Sequence, residues 1–239
     1  MAARATVSEP GVAPLFDHLR ELRRRVGISL AAVLIGALIA FAWCDQIIFA
    51  LRAPLDGAKL YFSGVGDAFG IRMQLSLIGG VVLAMPIWLW QAWAFVRPAL
   101  TPAERRAAGP WLPLALLLFA LGAAVAWFIL PFAVGFLLSF GTSDLVPLIA
   151  ADRYFGFVGS LVLIFGLAAE YPILLVFLAK VGVITSAKLG SMRRTALVVI
   201  VIASAVGTPG TDLVSPIVLA LTLYGLYELS IVLIRAGGR

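Results

Sequence analysis

Apolar positions along the chain are gathered into long runs that short charged segments separate. A helix needs about 20 such residues to cross a hydrocarbon core about 30 Å thick. We place six spans at approximately residues 26–44, 71–96, 109–135, 154–179, 195–208 and 213–234. The pattern therefore predicts an all-α integral membrane protein, with one polytopic domain over residues 1–239 and a lead-in at residues 1–25.

The composition agrees with a membrane class and argues against a large soluble head. The chain is 62% hydrophobic and 13% charged, with a mean hydropathy of +1.07, whereas soluble domains carry about 25% charged residues. One cysteine, Cys44, and one histidine, His18, rule out an internal disulfide and argue against a Cys/His metal cluster. The chain has no phosphate-binding loop and no catalytic Ser/His, paired-Asp or HExxH arrangement in a span. We expect no metal, no cofactor and no enzyme activity.

Charge sets the expected orientation. With six spans, the N-terminus, the second and fourth loops and the C-terminus share one side, which holds 14 of the 18 basic residues. The other side keeps four of them, Arg52, Lys59, Arg72 and Arg153. Because basic loops stay in the cytoplasm, we expect a multi-pass protein with both termini cytoplasmic. The net charge of +6 then needs no nucleic acid to explain it.

The last two spans are short. Residues 195–208 give only about 21 Å of helix at ~1.5 Å per residue. A span of this length thins the bilayer or draws its flanks into it.

One acid, Glu170, lies inside the apolar run of span four. An ionisable group in hydrocarbon costs several kcal/mol and survives by facing a protein interior, a water-filled path or a partner. Pro172 follows it and can kink the helix there. Three interpretations stay open: a polar contact for a partner's membrane helix or a signal-peptide helix, a proton relay, and a glutamate hydrogen-bonded within its own bundle.

Motifs in four places carry more information than hydrophobicity does. The lead-in contains His18, Leu19, Glu21, Leu22, Arg23 and Arg25. The loop after span two contains Trp93, Phe95, Pro98, Leu100, Glu104 and Arg105. Span four and the turn before span six contain Glu170, Pro172, Thr208, Pro209 and Asp212, and further matching positions are Pro54, Leu55 and Pro86.

In this order on six spans, the motifs resemble the TatC family, the multispanning subunit of the twin-arginine protein translocase. The resemblance covers Phe16 to about Ile234. It implies a concave bundle in the cytoplasmic (inner) membrane of a prokaryote. It also implies a receptor that binds Arg-Arg signal peptides of folded precursors and exports them with the proton-motive force. The expected partners are TatA/TatB-type single-span membrane proteins and the lipid bilayer, in a homo- or hetero-oligomer.

The resemblance also assigns residues. Glu21 and Glu104 match family positions that would clamp the two arginines, with Phe95 and Pro98 shaping the loop and with Arg23 and Arg105 beside the two acids. The alternative is that each acid neutralises a neighbouring arginine, Glu21 with Arg25 and Glu104 with Arg105. Glu170 would be an intramembrane partner contact.

At the other side, Pro54 and Asp212 would form a structural or partner-binding rim, and Asp212 is expected to cap the start of span six. A different class of function also fits Glu170 in a six-span bundle, namely a proton-coupled small-solute transporter or channel. That alternative requires neither Glu104 nor the arginine-rich lead-in.

Overall fold

The computed structural model describes residues 13–55, 58–99, 111–142, 147–180, 182–209 and 212–237. Helices dominate these ranges, joined by two-residue strands and two 3-10 turns, Ala53–Leu55 and Arg97–Ala99. In chain order the elements are α1 (Ala13–Ala42), α2 (Cys44–Leu51), β1 (Leu60–Tyr61), α3 (Asp67–Leu83), α4 (Met85–Val96), α5 (Trp111–Leu138), β2 (Ile149–Ala150), α6 (Ala151–Ala168), α7 (Tyr171–Lys180), α8 (Ser186–Ser191), α9 (Arg193–Gly207) and α10 (Val214–Ala236).

The helices account for the six predicted spans in three ways. Four segments are long and apolar enough to cross a membrane alone: His18–Ala42, Trp111–Leu138, Ala151–Lys180 and Val214–Ala236. α3 and α4 qualify together, as a pair bent by 51°. α9 has 15 residues, or about 22 Å of helix, and is the short one.

Two lengths differ from the sequence expectation. α1 begins at Ala13, so the lead-in and the first span form one continuous helix. α10 has 23 residues, within two residues of the predicted bounds 213–234 at each end, and is long enough to cross a membrane alone. Shortness is therefore a property of α9.

The chain alternates between two ends of the bundle. Strand β1 pairs in parallel with β2, Leu60 with Ile149 and Tyr61 with Ala150, so both loops lie at one end. At the other end the Trp111 ring lies 5.5 Å from the Trp93 ring, and the ammonium of Lys180 lies 5.0 Å from the Trp111 ring. We call this second end, which carries the start of α1, the basic end, and the end with β1 and β2 the opposite end.

Close helix approach holds the bundle together. A methyl group on Gly80 of α3 would lie 2.6 Å from the backbone nitrogen of Ala37 and from the carbonyl oxygen of Val33, both on α1. Such contact through small residues is how membrane helices pack when both sides are apolar. The absent side chain thus lets α1 and α3 touch along their backbones.

Proline marks the two breaks within spans. Pro86 has no N–H to continue α3 into α4, and the Trp88 indole donates to the Val81 carbonyl at 3.1 Å beside the break. Pro172 stands just after the break between α6 and α7, where Glu170 occupies the turn. At the first break, the Trp88 side chain is hydrogen-bonded across the turn. At the second break, the turn contains the acid Glu170.

Candidate functional site

A pair of polar side chains links α1 to α4 at the basic end. Arg25 donates to the Oε1 atom of Glu21 through Nε at 3.0 Å and through Nη2 at 2.5 Å. Its Nη1 atom donates to the Gln91 side-chain oxygen on α4 at 3.2 Å. The spacing of Glu21 and Arg25 is i, i+4, which brings their side chains to one face of a helix. The neutralising pair that the sequence offered as an alternative for Glu21 is therefore present.

An aromatic contact extends the same interface. The rings of His18 and Phe95 stack with centroids 4.4 Å apart and planes 27° apart. Gln91, Phe95 and Pro98 recur at i, i+4 and i+7 along α4 and its following turn, a spacing that lines one helical face. That face of α4 meets the face of α1 that carries His18 and Arg25.

Two neighbouring cavities open at this interface. The first has a volume of about 290 Å³ and is lined by Glu21, Arg24, Arg25, Ile28, Trp90 and Gln91. The second has a volume of about 370 Å³ and is lined by Arg25, Ala94, Arg97 and Pro98. Arg25 lies between them and borders both. A ligand that enters either cavity would meet the guanidinium of Arg25, which is hydrogen-bonded to Glu21.

The other predicted residues of this site divide into two groups. Arg23 is exposed and borders neither cavity. Glu104 and Arg105 lie outside the described residues, so their roles stay predictions. Sequence reasoning did not select Gln91 or Trp90. The sequence does distinguish Gln91 as a candidate, because it is the one amide side chain among the otherwise apolar residues of α4, MPIWLWQAWAFV.

Glu170 borders a separate, partly open cavity. This space of about 230 Å³ lies between α4, α5 and α7, with Trp93, Trp111 and Phe177 among its walls. The Oε1 atom of Glu170 is buried and has no hydrogen-bond partner within the described ranges. An unpaired buried carboxyl oxygen is costly. The site is therefore suited to a hydrogen-bond donor that enters an otherwise apolar space.

Pro54 and Asp212 lie at the opposite end, and their assignment to a structural or partner-binding rim stays a prediction. Pro54 lies in the 3-10 turn after α2 and is half-buried. The backbone N–H of Ser215 donates to Asp212 Oδ1 at 2.6 Å, so Asp212, which precedes the N-cap residue Leu213, accepts a hydrogen bond from the first turn of α10. Asp212 itself is buried.

The chemistry available in these sites is recognition by charge and shape. Across the described part of the chain, no three His, Cys, Asp or Glu side chains come together in the way that metal ligands do. The basic end instead offers a carboxylate surrounded by arginines, and the interior offers a carboxyl in an apolar cavity.

Comparison with known proteins identifies the family. The profile described as Sec-independent protein translocase protein (TatC) matches residues 17–221. The chain belongs to the TatC family. A TatC protein from Frankia casuarinae is 37% identical over 246 residues, covering 96% of this chain and 68% of its own length. Another, from Aquifex aeolicus, is 40% identical over 227 residues, covering 92% and 94% respectively.

The fold agrees with that of solved TatC structures. A crystal structure of the twin-arginine translocase receptor TatC superposes with a TM-score of 0.80 at 39% identity, covering 93% of this chain and all of the other. A second, of the same receptor in the detergent DDM, gives 0.79 at the same identity. The prediction of an all-α TatC fold is confirmed, and the six-span count is consistent with these structures.

Membership of the TatC family also decides between the classes of function. TatC proteins are components of a protein translocase and not catalytic enzymes. The expectation of a protein-transport role is confirmed, and the small-solute transporter loses its support. The match of residues 17–221 includes Glu21, Phe95, Glu104, Glu170 and Asp212.

Proposed function

We propose that this protein is the receptor of a twin-arginine translocase, and that the cavity beside Glu21 accepts an arginine of the signal peptide. The observation that carries the proposal is that only one of the two carboxylate oxygens of Glu21 is hydrogen-bonded within the described residues. Its Oε1 atom takes both hydrogen bonds from Arg25, while its Oε2 atom accepts none from the described residues. The acid borders a cavity and its side chain is 34% exposed.

An incoming guanidinium would bind Glu21 in competition with Arg25. A guanidinium presents a planar fork of donors that matches a carboxylate bidentately, which an ammonium cannot do. Partial burial strengthens such charge-assisted hydrogen bonds. Gln91 would then keep Arg25 near the site through the bond to Nη1. The expected result is a site that prefers arginine to lysine.

The second arginine of the signal would meet Glu104, which the sequence assigns to the same clamp. Pro98 borders the neighbouring cavity, and Phe95 stacks on His18. The loop that carries Glu104 follows Pro98 directly in the sequence. Arg105 would hold Glu104 as Arg25 holds Glu21, and exposed Arg23 would remain available to the acidic or polar part of a precursor.

The basic end is assigned to the cytoplasm. Among the described residues this end carries Arg20, Arg23, Arg24, Arg25, Arg97, Lys180, Lys188, Arg193, Arg194 and Arg235. Basic residues near span ends remain on the cytoplasmic side. Both termini then face the cytoplasm of a prokaryotic cell, and the signal peptide is bound before export through the inner membrane.

The proposed partners are TatA/TatB-type single-span proteins. Among the described residues, the cavity at Glu170 and the cavity at the opposite end have volumes of about 230 and 540 Å³, and neither holds a folded protein. Glu170 would donate or accept a hydrogen bond from a polar group on a partner's helix, and such bonds between membrane helices contribute about 1–2 kcal/mol. Assembly into a hetero-oligomer would build the passage, with the proton-motive force as the energy source.

Binding of synthetic signal peptides to the purified protein in detergent tests the receptor. We expect the Arg-Arg peptide to bind at least about tenfold more tightly than its Lys-Lys counterpart, and Glu21→Gln to remove most of that difference. A hydrogen bond to a charged group contributes about 1.5–3 kcal/mol, and ~1.4 kcal/mol is a factor of ten. The measurement is peptide fluorescence anisotropy against protein concentration.

Glu228→Gln is the matched control. Glu228 is also near the basic end, and it accepts two hydrogen bonds from Arg193 at 2.8 and 2.7 Å, so its loss removes the same charge from a different ion pair. It should leave the preference for Arg-Arg intact. Equal affinity for both peptides, or equal losses in the two variants, would refute a clamp at Glu21.

A further inference from the structure

A cationic cavity at the opposite end has no place in the proposed receptor. It has a volume of about 540 Å³ and lies between the end of α2, strand β1 and the starts of α3 and α6. Arg52, Lys59 and Arg72 border it, and these are three of the four basic residues that the sequence assigns to the side with few positive charges. Their convergence on one cavity calls for a physical reason.

The positive charge in this cavity is only partly compensated. Arg72 donates to Asp45 at 2.5 Å. The nearby acid Asp67 accepts the backbone N–H of Ser63 at 3.0 Å and that of Gly64 at 2.6 Å, which stabilises its own loop. Arg52 and Lys59 are exposed, and neither forms an ion pair with an acid of the described ranges. Two cations therefore remain available to an anion.

The floor of the cavity is apolar. Ile71 and Phe155 border it and are almost fully buried, at 6% and 2% exposure, while Phe62 borders it at 62% exposure. A small soluble anion gains nothing from apolar walls. A molecule with an anionic head joined to a hydrocarbon tail would use both parts of this lining.

The level of the cavity in the membrane agrees with such a ligand. Its lining residues Ile71 and Phe155 coincide with the predicted outer boundaries of spans two and four, which start at residues 71 and 154. Phosphates of lipid headgroups lie at this boundary of the hydrocarbon core, and Lys and Arg side chains near the surface attract anionic headgroups. Arginine matches phosphate oxygens with its planar fork.

We infer that this cavity binds the phosphate headgroup of an anionic phospholipid, with Arg52 and Lys59 on the phosphate and the acyl chains leaving past Phe62. The lipid would join α2, β1 and the starts of α3 and α6. It would thereby fix the loop that carries Pro54 relative to the bundle. The inference is independent of the signal-peptide site at the basic end.

Photocrosslinking tests the assignment with a defined probe. The full-length protein in detergent is mixed with phosphatidylglycerol that carries a photoreactive acyl chain, and crosslinked peptides are mapped by mass spectrometry. We expect crosslinks in the peptide covering residues 58–72, and a decrease of about fivefold for Arg52→Gln or Lys59→Gln, since one Lys or Arg near anionic lipid contributes about 1 kcal/mol. Arg52→Lys, which keeps the charge, should retain most of the crosslinking.

Arg153→Gln is the matched control, because Arg153 is exposed near the same end but does not border the cavity. It should leave crosslinking of residues 58–72 unchanged, and excess sodium phosphate should not compete. Equal crosslinking by a phosphatidylcholine analogue would show ordinary contact with the surrounding lipid and overturn the inference. Full competition by sodium phosphate, or equal losses in the Arg153 variant, would also overturn it.

Discussion

Glu21 and Glu170 are both acids at the border of a cavity, yet their surroundings differ. Glu21 lies where α1 leaves the predicted membrane region and already holds Arg25. Glu170 lies within a span, in a turn between two helices, with a buried oxygen that has no partner among the described residues. A paired acid near water suits exchange of one cation for another, whereas an unpaired acid in an apolar cavity suits a ligand that supplies the missing hydrogen bond.

The largest effect in this comparison is expected at Glu170. Glu170→Ala should lower co-purification with single-span partner proteins about tenfold, because an interhelical hydrogen bond of ~1–2 kcal/mol is lost. Glu170→Gln keeps a hydrogen-bonding side chain and should retain much of the assembly. Leu174→Ala, in the same cavity, controls for lost volume, and an equal defect there would reduce Glu170 to a packing residue.

A smaller effect, of opposite sign, is expected at Arg25. Arg25→Gln removes the guanidinium that competes for Glu21 and should raise the affinity for an Arg-Arg peptide about threefold, in line with the 0.2–1 kcal/mol typical of exposed ion pairs. The measurement is the same anisotropy titration. Arg24→Gln, which removes a charge from the same cavity, gives the general electrostatic effect and should raise affinity less. A drop in affinity would mean that Arg25 orients Glu21 instead of competing for it.

The smallest effect concerns the aromatic stack that joins α1 to α4. His18→Ala should lower the free energy of unfolding by about 0.5 kcal/mol, since an aromatic pair contributes about that much beyond its buried area. His18→Phe should preserve the contact. Thermal unfolding in detergent compares the two. If both variants match the unsubstituted protein, the stack does not hold the two helices together.

Much of the fold follows from the order of apolar runs and charges. The runs locate the helices, and the basic loops separate the two ends. Pro86 marks the break at Ala84 in the sequence, whereas the hydrogen bond of the Trp88 indole to the Val81 carbonyl across the break is seen only in the structure. The ion pair of Glu228 on α10 with Arg193 on α9 joins residues 35 positions apart. Contacts of this kind are set by packing and not by local pattern.

In the candidate sites, too, some features follow from the sequence and others are seen only in the structure. The motifs indicated Glu21, Phe95, Pro98 and Glu170 individually. The bond from Arg25 to Gln91 joins residues 66 positions apart, so no local spacing reveals it. The unpaired oxygen of Glu170 is likewise a property of the assembled helices, since three of them line the cavity. Sequence alone thus named the acids, and the structure gives the neighbours of Glu21 and Glu170.

The most direct test of the receptor proposal is photocrosslinking from the cavity itself. Trp90 borders the Glu21 cavity and is 48% exposed, so a photoreactive aromatic residue can replace it with little change in shape. The control is the same photoreactive residue in place of Trp43, which is 64% exposed near the opposite end. The single cysteine of this protein, Cys44, is buried, so a thiol-reactive label meant for the precursor is not expected to react with it.

The comparison is between precursors with Arg-Arg and with Lys-Lys signals. We expect the Arg-Arg precursor to crosslink from position 90 and not from position 43, and the crosslink to be lost with Lys-Lys or in the Glu21→Gln background. A crosslink of equal strength for both signals, or one that survives the loss of the Glu21 charge, would contradict the proposal that Glu21 receives an arginine of the signal peptide.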